Sequence, residues 1–286
     1  MAELAELLVR STGGPVLVQD AGRPGHAAIG VGSSGAADLA SYGLGNRLVG
    51  NAPGAAALEV VLGGLEVEAT GTVWACVTGA PAPLLVAGRR EPPGAVVALR
   101  AGQRLRLGMP ATGLRSYLAV RGGIDVPALL GSRSRDTLAD LGPAPVAAGD
   151  VLRVGRERDG EMVVDAVPPQ SYDARPVLRV VRGPRADWVA DPAALVARTW
   201  RVGADSDRVG LRLDGDPLAV VPDRGQLPSE GALRGAIQVP PDGRPVVFGP
   251  DHPVTGGYPV VGVVVAADTD RLAQLRPGEE LGFRWA

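Results

Sequence analysis

Residues 229–259 read SEGALRGAIQVPPDGRPVVFGPDHPVTGGYP, and the pattern is that of β structure. The apolar runs at 237–239 and 246–248 are too short for helices. Pro-Pro-Asp-Gly stands between them, a hairpin signal in which Asp242 serves the turn. The same stretch holds Ser229, Glu230, Gln238, Asp251, His252, Thr255 and Tyr258. Turns rich in Gly and Pro hold such side chains without covering them, which is how sites are commonly built on a rigid scaffold.

Outward from this stretch, short apolar runs recur at 16–19, 58–62, 73–78, 96–99, 104–107, 117–120, 177–181 and 260–266, each bounded by turn residues. Helical patterns are few. One is expected over 36–49, with Ser33 or Ser34 as its cap and Gly50 closing it. A second follows Asp191-Pro192 to about 198, and a third covers about 270–275. Strands with a few capping helices argue for barrels and against a βαβ sheet. A short motif, Gly-polar-x-Leu-x-apolar, occurs at Gly102, Gly149 and Gly278, and each copy reads as a turn entering a strand. A looser echo joins Ser41-Tyr-Gly-Leu-Gly-Asn-Arg-Leu48 to Ser206-Asp-Arg-Val-Gly-Leu-Arg-Leu213 and hints at two related barrels. The charged, proline-bearing segment 156–176 is the expected linker between domains at 1–160 and 175–286.

With 45% apolar and 21% charged residues the chain can bury a core, and with 3% aromatics Val, Leu and Ala must fill it. A net charge of −2 gives no electrostatic case for nucleic acid or an anionic membrane. One cysteine, Cys76, permits no internal disulfide and suits a reducing compartment. The first ten residues do not read as a signal peptide, and no apolar run reaches membrane-spanning length, so a cytoplasmic protein is expected. All 29 basic residues are arginine. A chain without lysine carries no biotin, forms no Schiff base and builds no Walker A loop.

Gly30-Val-Gly32-Ser-Ser-Gly35 spells a dinucleotide fingerprint, but no βαβ rhythm surrounds it. A turn and helix cap is the plain reading. The functional one gives the expected helix start an anion seat, built from free N–H groups and the Ser33 and Ser34 hydroxyls beside Gly35. Glu59 sits within an apolar strand, where an unpaired carboxylate costs several kcal/mol. Either Arg47 pairs with it or it serves as a base. His26, His252 and Cys76 are too few for a usual zinc site.

Read in order, Val18-Gln-Asp-Ala-Gly-Arg-Pro-Gly25, Asn46-Arg-Leu-Val-Gly-Asn51, Arg121-Gly-Gly-Ile-Asp125, Leu130-Gly-Ser-Arg-Ser134, Ser206-Asp-Arg-Val-Gly210 and the 229–259 stretch resemble the allophanate hydrolase subunit 2 family. This is also the family of C-type 5-oxoprolinase subunits, described as biotin-dependent carboxyltransferase-like. The resemblance spans nearly the whole chain outside the expected linker. It implies a mainly β fold of cyclophilin-like barrels with a few short helices. It implies one component of an ATP-dependent 5-oxoprolinase, with A-type and B-type partner subunits completing an ATP site, Mg as the nucleotide's companion ion, and biotin not carried by this chain. Two alternatives accompany it: the carboxyltransferase component of a urea carboxylase or allophanate hydrolase system, and a non-catalytic regulator antagonising a kinase inhibitor. On this chain the expected site comprises Glu230, Tyr258 and Glu59, read from the residues themselves, and Asp38, which the family's loop places there, as catalytic groups. Ser33, Ser34, Gly35, Asn46, Arg47, Gln238, Thr255, Gly256 and Gly257 are its substrate contacts. On residues alone, Asn46 and Arg47 read as a solvated helix face or a cap.

Overall fold

The structure, a computed structural model, describes residues 5–156, 160–222 and 224–286. It is mainly β, and the chain divides into two units. The first comprises 1–23, 34–136 and 140–171. The second comprises 24–33, 137–139 and 172–286.

The first unit is built from two antiparallel sheets. A six-stranded sheet runs Val151–Arg153, Glu6–Ser11, Glu66–Ala69, Arg104–Leu107, Leu84–Val86 and Arg89–Glu91. A five-stranded sheet runs Val16–Gln19, Ala57–Val61, Arg115–Val120, Val73–Gly79 and Val96–Leu99. In Arg104–Leu107 the two arginines are exposed and Leu105 and Leu107 are buried, the period-2 alternation of a sheet with one wet face. Arg115–Val120 is buried at every position, because the five-stranded sheet is covered on both faces. Leu58, Val60, Val77, Leu118 and Val120 pack into the core shared with the other sheet, whereas Ala57, Cys76, Tyr117 and Ala119 pack with Tyr42 and Leu48 of α1 (Leu39–Leu48).

Helix α1 begins at Leu39, later than the sequence suggests. Asp38, not Ser33 or Ser34, caps it and accepts from the Ser41 amide at 2.9 Å. Ser34 and Gly35 take positive φ (50° and 97°), which keeps them out of a helix. A Cβ at Gly35 would press on the Gly22 backbone, so only glycine fits there.

The second unit contains a closed seven-stranded barrel: Val177–Arg182, Val260–Val264, Ala236–Gln238, Val246–Phe248, Gly210–Asp214, Thr199–Val202 and Glu280–Trp285. Parallel pairing of the last strand with the first closes it. Its core centres on Trp200, fully buried, with the indole donating to Leu195 O at 2.9 Å. Helix α2 (Ala194–Ala197) follows the Asp191-Pro192 signal, and α3 (Ala266–Leu272) starts four residues earlier than 270.

The Gly-polar repeat proves to be one device used three times. Gly102, Gly149 and Gly278 each take φ between 78° and 97° in a turn. In each, the following amide (Gln103, Asp150, Glu279) donates to the carbonyl three residues back. The same residue's side chain accepts from that turn's first amide at 2.8–2.9 Å. The looser echo does not survive: Ser41–Leu48 lies in α1, whereas its counterpart forms a turn and the strand Gly210–Asp214.

Within the expected linker, residues 157–159 lie outside the described residues. Residues 160–171 belong to the first unit, where Val96 N donates to Asp165 O and Val167 N to Gly94 O. The main change of unit falls between Ser171 and Tyr172. No helix is long and apolar enough to cross a membrane among the described residues.

Candidate functional site

In the second unit, register assembles the residues singled out in the sequence. Glu230–Gly231 pairs antiparallel with Thr255–Gly256, setting Glu230 opposite Gly256 and Gly231 opposite Thr255. Gln238, at the end of its strand, pairs with Val260 across an irregularity and is buried. Its Nε2 donates to Tyr258 O at 3.3 Å. A Cβ at Gly256 would collide with that same amide nitrogen, so the glycine is required by the glutamine. The tight chain path over 255–259 thereby fixes Gln238 and presents Tyr258, which is half exposed.

Tyr258 and Gly257 form a wall shared by two grooves. One, of about 510 Å³, is lined by Gln238, Phe248, Gly256 and Arg212. The other, of about 470 Å³, is lined by Trp188, Arg224, Leu227 and Val239. Among the described residues the Tyr258 hydroxyl has no intramolecular partner and remains available to a ligand. The Arg224 guanidinium lies 5.7 Å from the centre of the Trp188 ring and is ion-paired to Asp187, whose carboxyl it holds below the ordinary range.

Glu230 has a partner the sequence does not suggest. Arg185 Nε lies 3.0 and 3.2 Å from its two carboxylate oxygens, and Arg185 Nη2 also bonds Oε1. This fork holds the Glu230 carboxyl below the usual carboxylate range. Glu230 is therefore an ionised base or charge partner near neutrality, not a reservoir of protons. Arg185 is itself seated by its amide, which donates to Val260 O at 3.1 Å. Another pair, Arg208–Asp251, is buried, with Arg208 Nε at 2.8 Å. Asp251 also accepts from the amide and hydroxyl of Thr137, at 2.9 and 2.8 Å. Arg208 stands in the Ser206-Asp-Arg motif and Asp251 in the 229–259 stretch, two sequence signals that nothing local connects. Asp242 does what its turn requires, accepting from Arg244 N at 3.1 Å.

The other candidates, apart from Ser33, lie in the first unit. The amides expected to be free at the helix start are occupied: Ala36 N donates to Asp20 O at 2.9 Å, Ala37 N to Glu59 Oε2 at 2.9 Å, and Asp38 N to Tyr117 Oη at 2.7 Å. The Ser34 hydroxyl donates to Arg135 O at 3.2 Å. The anion seat therefore does not form as expected, because the chain's own carbonyls and side chains use its donors. Ser33 belongs to the second unit.

Glu59 is fully buried. Tyr117 Oη donates to it at 2.8 Å, and Arg115 Nε stands 3.4 Å away. Arg115, not Arg47, is the cation beside it. Arg47 is exposed, because α1 turns that position outward. Burial, then the Glu59 and Asp38 carboxylates, push the Tyr117 phenol well above its ordinary pKa. Asn46 is buried and donates to Ala55 O at 3.0 Å while accepting from Asn51 at 2.7 Å. Glu59, Tyr117 and Asp38 thus form a sealed polar chain that ties the 34–38 segment to the sheet. Among the described residues no three His, Cys, Asp or Glu gather to hold a metal ion.

A family model for the carboxyltransferase domain, subdomain A and B, matches residues 29–285. The chain is 37% identical to the C-type 5-oxoprolinase subunit of Escherichia coli (strain K12) over 271 residues, covering 93% of this chain and 86% of that protein. It is 31% identical to the C-type 5-oxoprolinase subunit of Haemophilus influenzae, covering 99% and 90%. The crystal structure of Kluyveromyces lactis urea carboxylase superposes with a TM-score of 0.91 at 28% identity, over 99% of this chain but 27% of that one.

Proposed function

The chain belongs to the carboxyltransferase domain, subdomain A and B, family, and on that premise we propose that it is the C-type subunit of a multi-subunit 5-oxoprolinase. The assembled enzyme would open the lactam of 5-oxoproline to glutamate, consuming ATP and two waters and releasing ADP and phosphate. The observation that carries this reading is a correspondence with the two bacterial subunits that runs nearly end to end on both sides.

A lactam is a resonance-stabilised amide, and its opening needs the carbonyl polarised and an attacking group positioned. The groove at Tyr258 supplies groups of the right kind. The Tyr258 hydroxyl is a donor for a developing oxyanion. The Gln238 amide holds the backbone carbonyl that aims Tyr258; Glu230, opposite Gly256 on the ribbon and outside the lining of either groove, is an ionised carboxylate. Gly257, in the wall of both grooves, admits close backbone approach. We assign ATP, with its Mg, to the assembled complex with A-type and B-type partner subunits. The chain offers no lysine for a nucleotide loop.

The similarity to urea carboxylase favours a second reading, in which the same groove accepts a carboxyl group from biotin carried on another protein. Reconstitution separates the two. Mixed with its partner subunits, the chain should support ATP-dependent glutamate release from 5-oxoproline, and leaving it out should abolish release. Transfer of labelled bicarbonate to urea through a biotinylated carrier, without glutamate release, would overturn the proposal in favour of the second reading.

A further inference from the structure

Three sequence motifs unused by the lactam chemistry meet at one cavity of the first unit. Asn46–Asn51 contributes Asn51, Arg121–Asp125 contributes Gly122, Gly123 and Asp125, and 130–134 contributes Arg133. Gly54 and Arg156 complete the wall of a space of about 460 Å³. Asn51 shapes it and is fully committed: Nδ2 donates to Asn46 Oδ1 and Val120 O, both at 2.7 Å, and Oδ1 accepts from Gly122 N at 2.8 Å. Gly122 and Gly155 abut so closely that a Cβ on either would strike the other's carbonyl. Gly54, at φ 88° in the turn closed by Ala55 N on Ala52 O, has nothing within 4 Å of where a Cβ would stand. Its wall is open, and among the described residues its amide has no acceptor.

Among the described residues, the charges lining this space do not balance. Arg133 spends Nε on Val126 O at 2.8 Å and leaves Nη2 3.8 Å from Asp125, too far for a hydrogen bond. Arg156 has no partner among the described residues. Among the described residues, two guanidinium groups therefore line the space with one half-exposed carboxylate, beside the open wall at Gly54. We propose that this cavity is a ligand site separate from the Tyr258 groove, taking a small hydroxylated phosphate ester. Arg133 and Arg156 hold the phosphate oxygens, and Asp125 accepts from a hydroxyl of the body. The volume exceeds what a free phosphate fills, and no aromatic ring lines the space to stack a base.

The site does not rest on the 5-oxoprolinase reading, and the full chain alone suffices to test it. Calorimetric titration with glycerol 3-phosphate at constant ionic strength should show saturable binding, whereas glycerol should show none. Arg133→Gln and Arg156→Gln should each weaken binding about tenfold or more, as loss of one charge-assisted contact implies. Arg106→Gln, an exposed arginine on the six-stranded sheet, should leave it unchanged. Should Arg133→Gln fail to fold, Arg156→Gln, whose exposed side chain has no partner among the described residues, decides alone. Absence of saturable binding, or equal affinity in wild type and Arg156→Gln, overturns the proposal.

Discussion

Glu59 shows how a single residue can be conspicuous in a sequence while its role is not. A carboxylate within an apolar strand announces a specific partner, but the partner depends on sheet register. Pairing of Ala57–Val61 with Arg115–Val120 sets Tyr117 opposite Glu59 and brings Arg115 alongside. No local pattern encodes that. Arg47 is the arginine nearer to Glu59 in sequence, yet α1 carries it to the surface. The structure makes Tyr117→Phe informative. Losing the hydroxyl leaves Glu59 and the Asp38 amide each short of a buried bond, so urea unfolding should show a loss of about 1–3 kcal/mol. Cys76 gives a second expectation. Burial pushes its thiol up to about 12, so at pH 8 it stays protonated and enclosed. A disulfide reagent should leave it untouched in the native protein and modify it on unfolding. Glu230 is the third case. Its forked bond to Arg185 keeps it ionised, so Glu230→Gln removes a charge at nearly constant shape. Turnover of the reconstituted complex should fall by about 10²-fold or more while assembly persists.

At the scale of elements, the strands are the legible part. The runs at 16–19, 96–99, 104–107 and 246–248 match strands of the structure residue for residue. Alternation and turn chemistry are local and survive folding. The start of α1 is not legible, because Ser33, Ser34 and Asp38 are all competent caps and tertiary bonds to Asp20, Glu59 and Tyr117 decide among them. The three Gly-polar turns invite a direct check. Gly278 takes φ 87°, so Gly278→Ala should destabilise the barrel by about 1 kcal/mol or more through backbone strain alone, since no atom crowds the site. Helix α3 carries a pH dependence. Arg179 binds both oxygens of Asp268, at Oδ2 through Nε and its own amide and at Oδ1 through Nη2, holding that carboxyl below its ordinary value. A depressed folded value contributes stability above the unfolded pKa of about 3.9, and that contribution disappears as pH falls through the folded value. Acid titration of unfolding free energy should therefore be shallower below about pH 4 in Asp268→Asn than in the wild type.

At the scale of the whole molecule, short alternating runs between turns point to a β-rich chain, and the closed barrel of the second unit follows from strands whose alternate residues reach one core. The Arg185–Glu230 and Arg224–Asp187 pairs are hidden in the sequence, because each joins segments distant along the chain. On the function proposed above, the Tyr258 groove is this chain's share of a lactam-opening site completed by partner subunits. Tyr258→Phe tests that claim most directly, since the hydroxyl supports nothing else among the described residues. The measurement is kcat for ATP-dependent glutamate release from 5-oxoproline by the reconstituted complex. A fall of about 10²-fold or more is expected, with the complex intact by size-exclusion chromatography. An intact Tyr258→Phe complex that turns over at the wild-type rate would contradict the assignment of this groove.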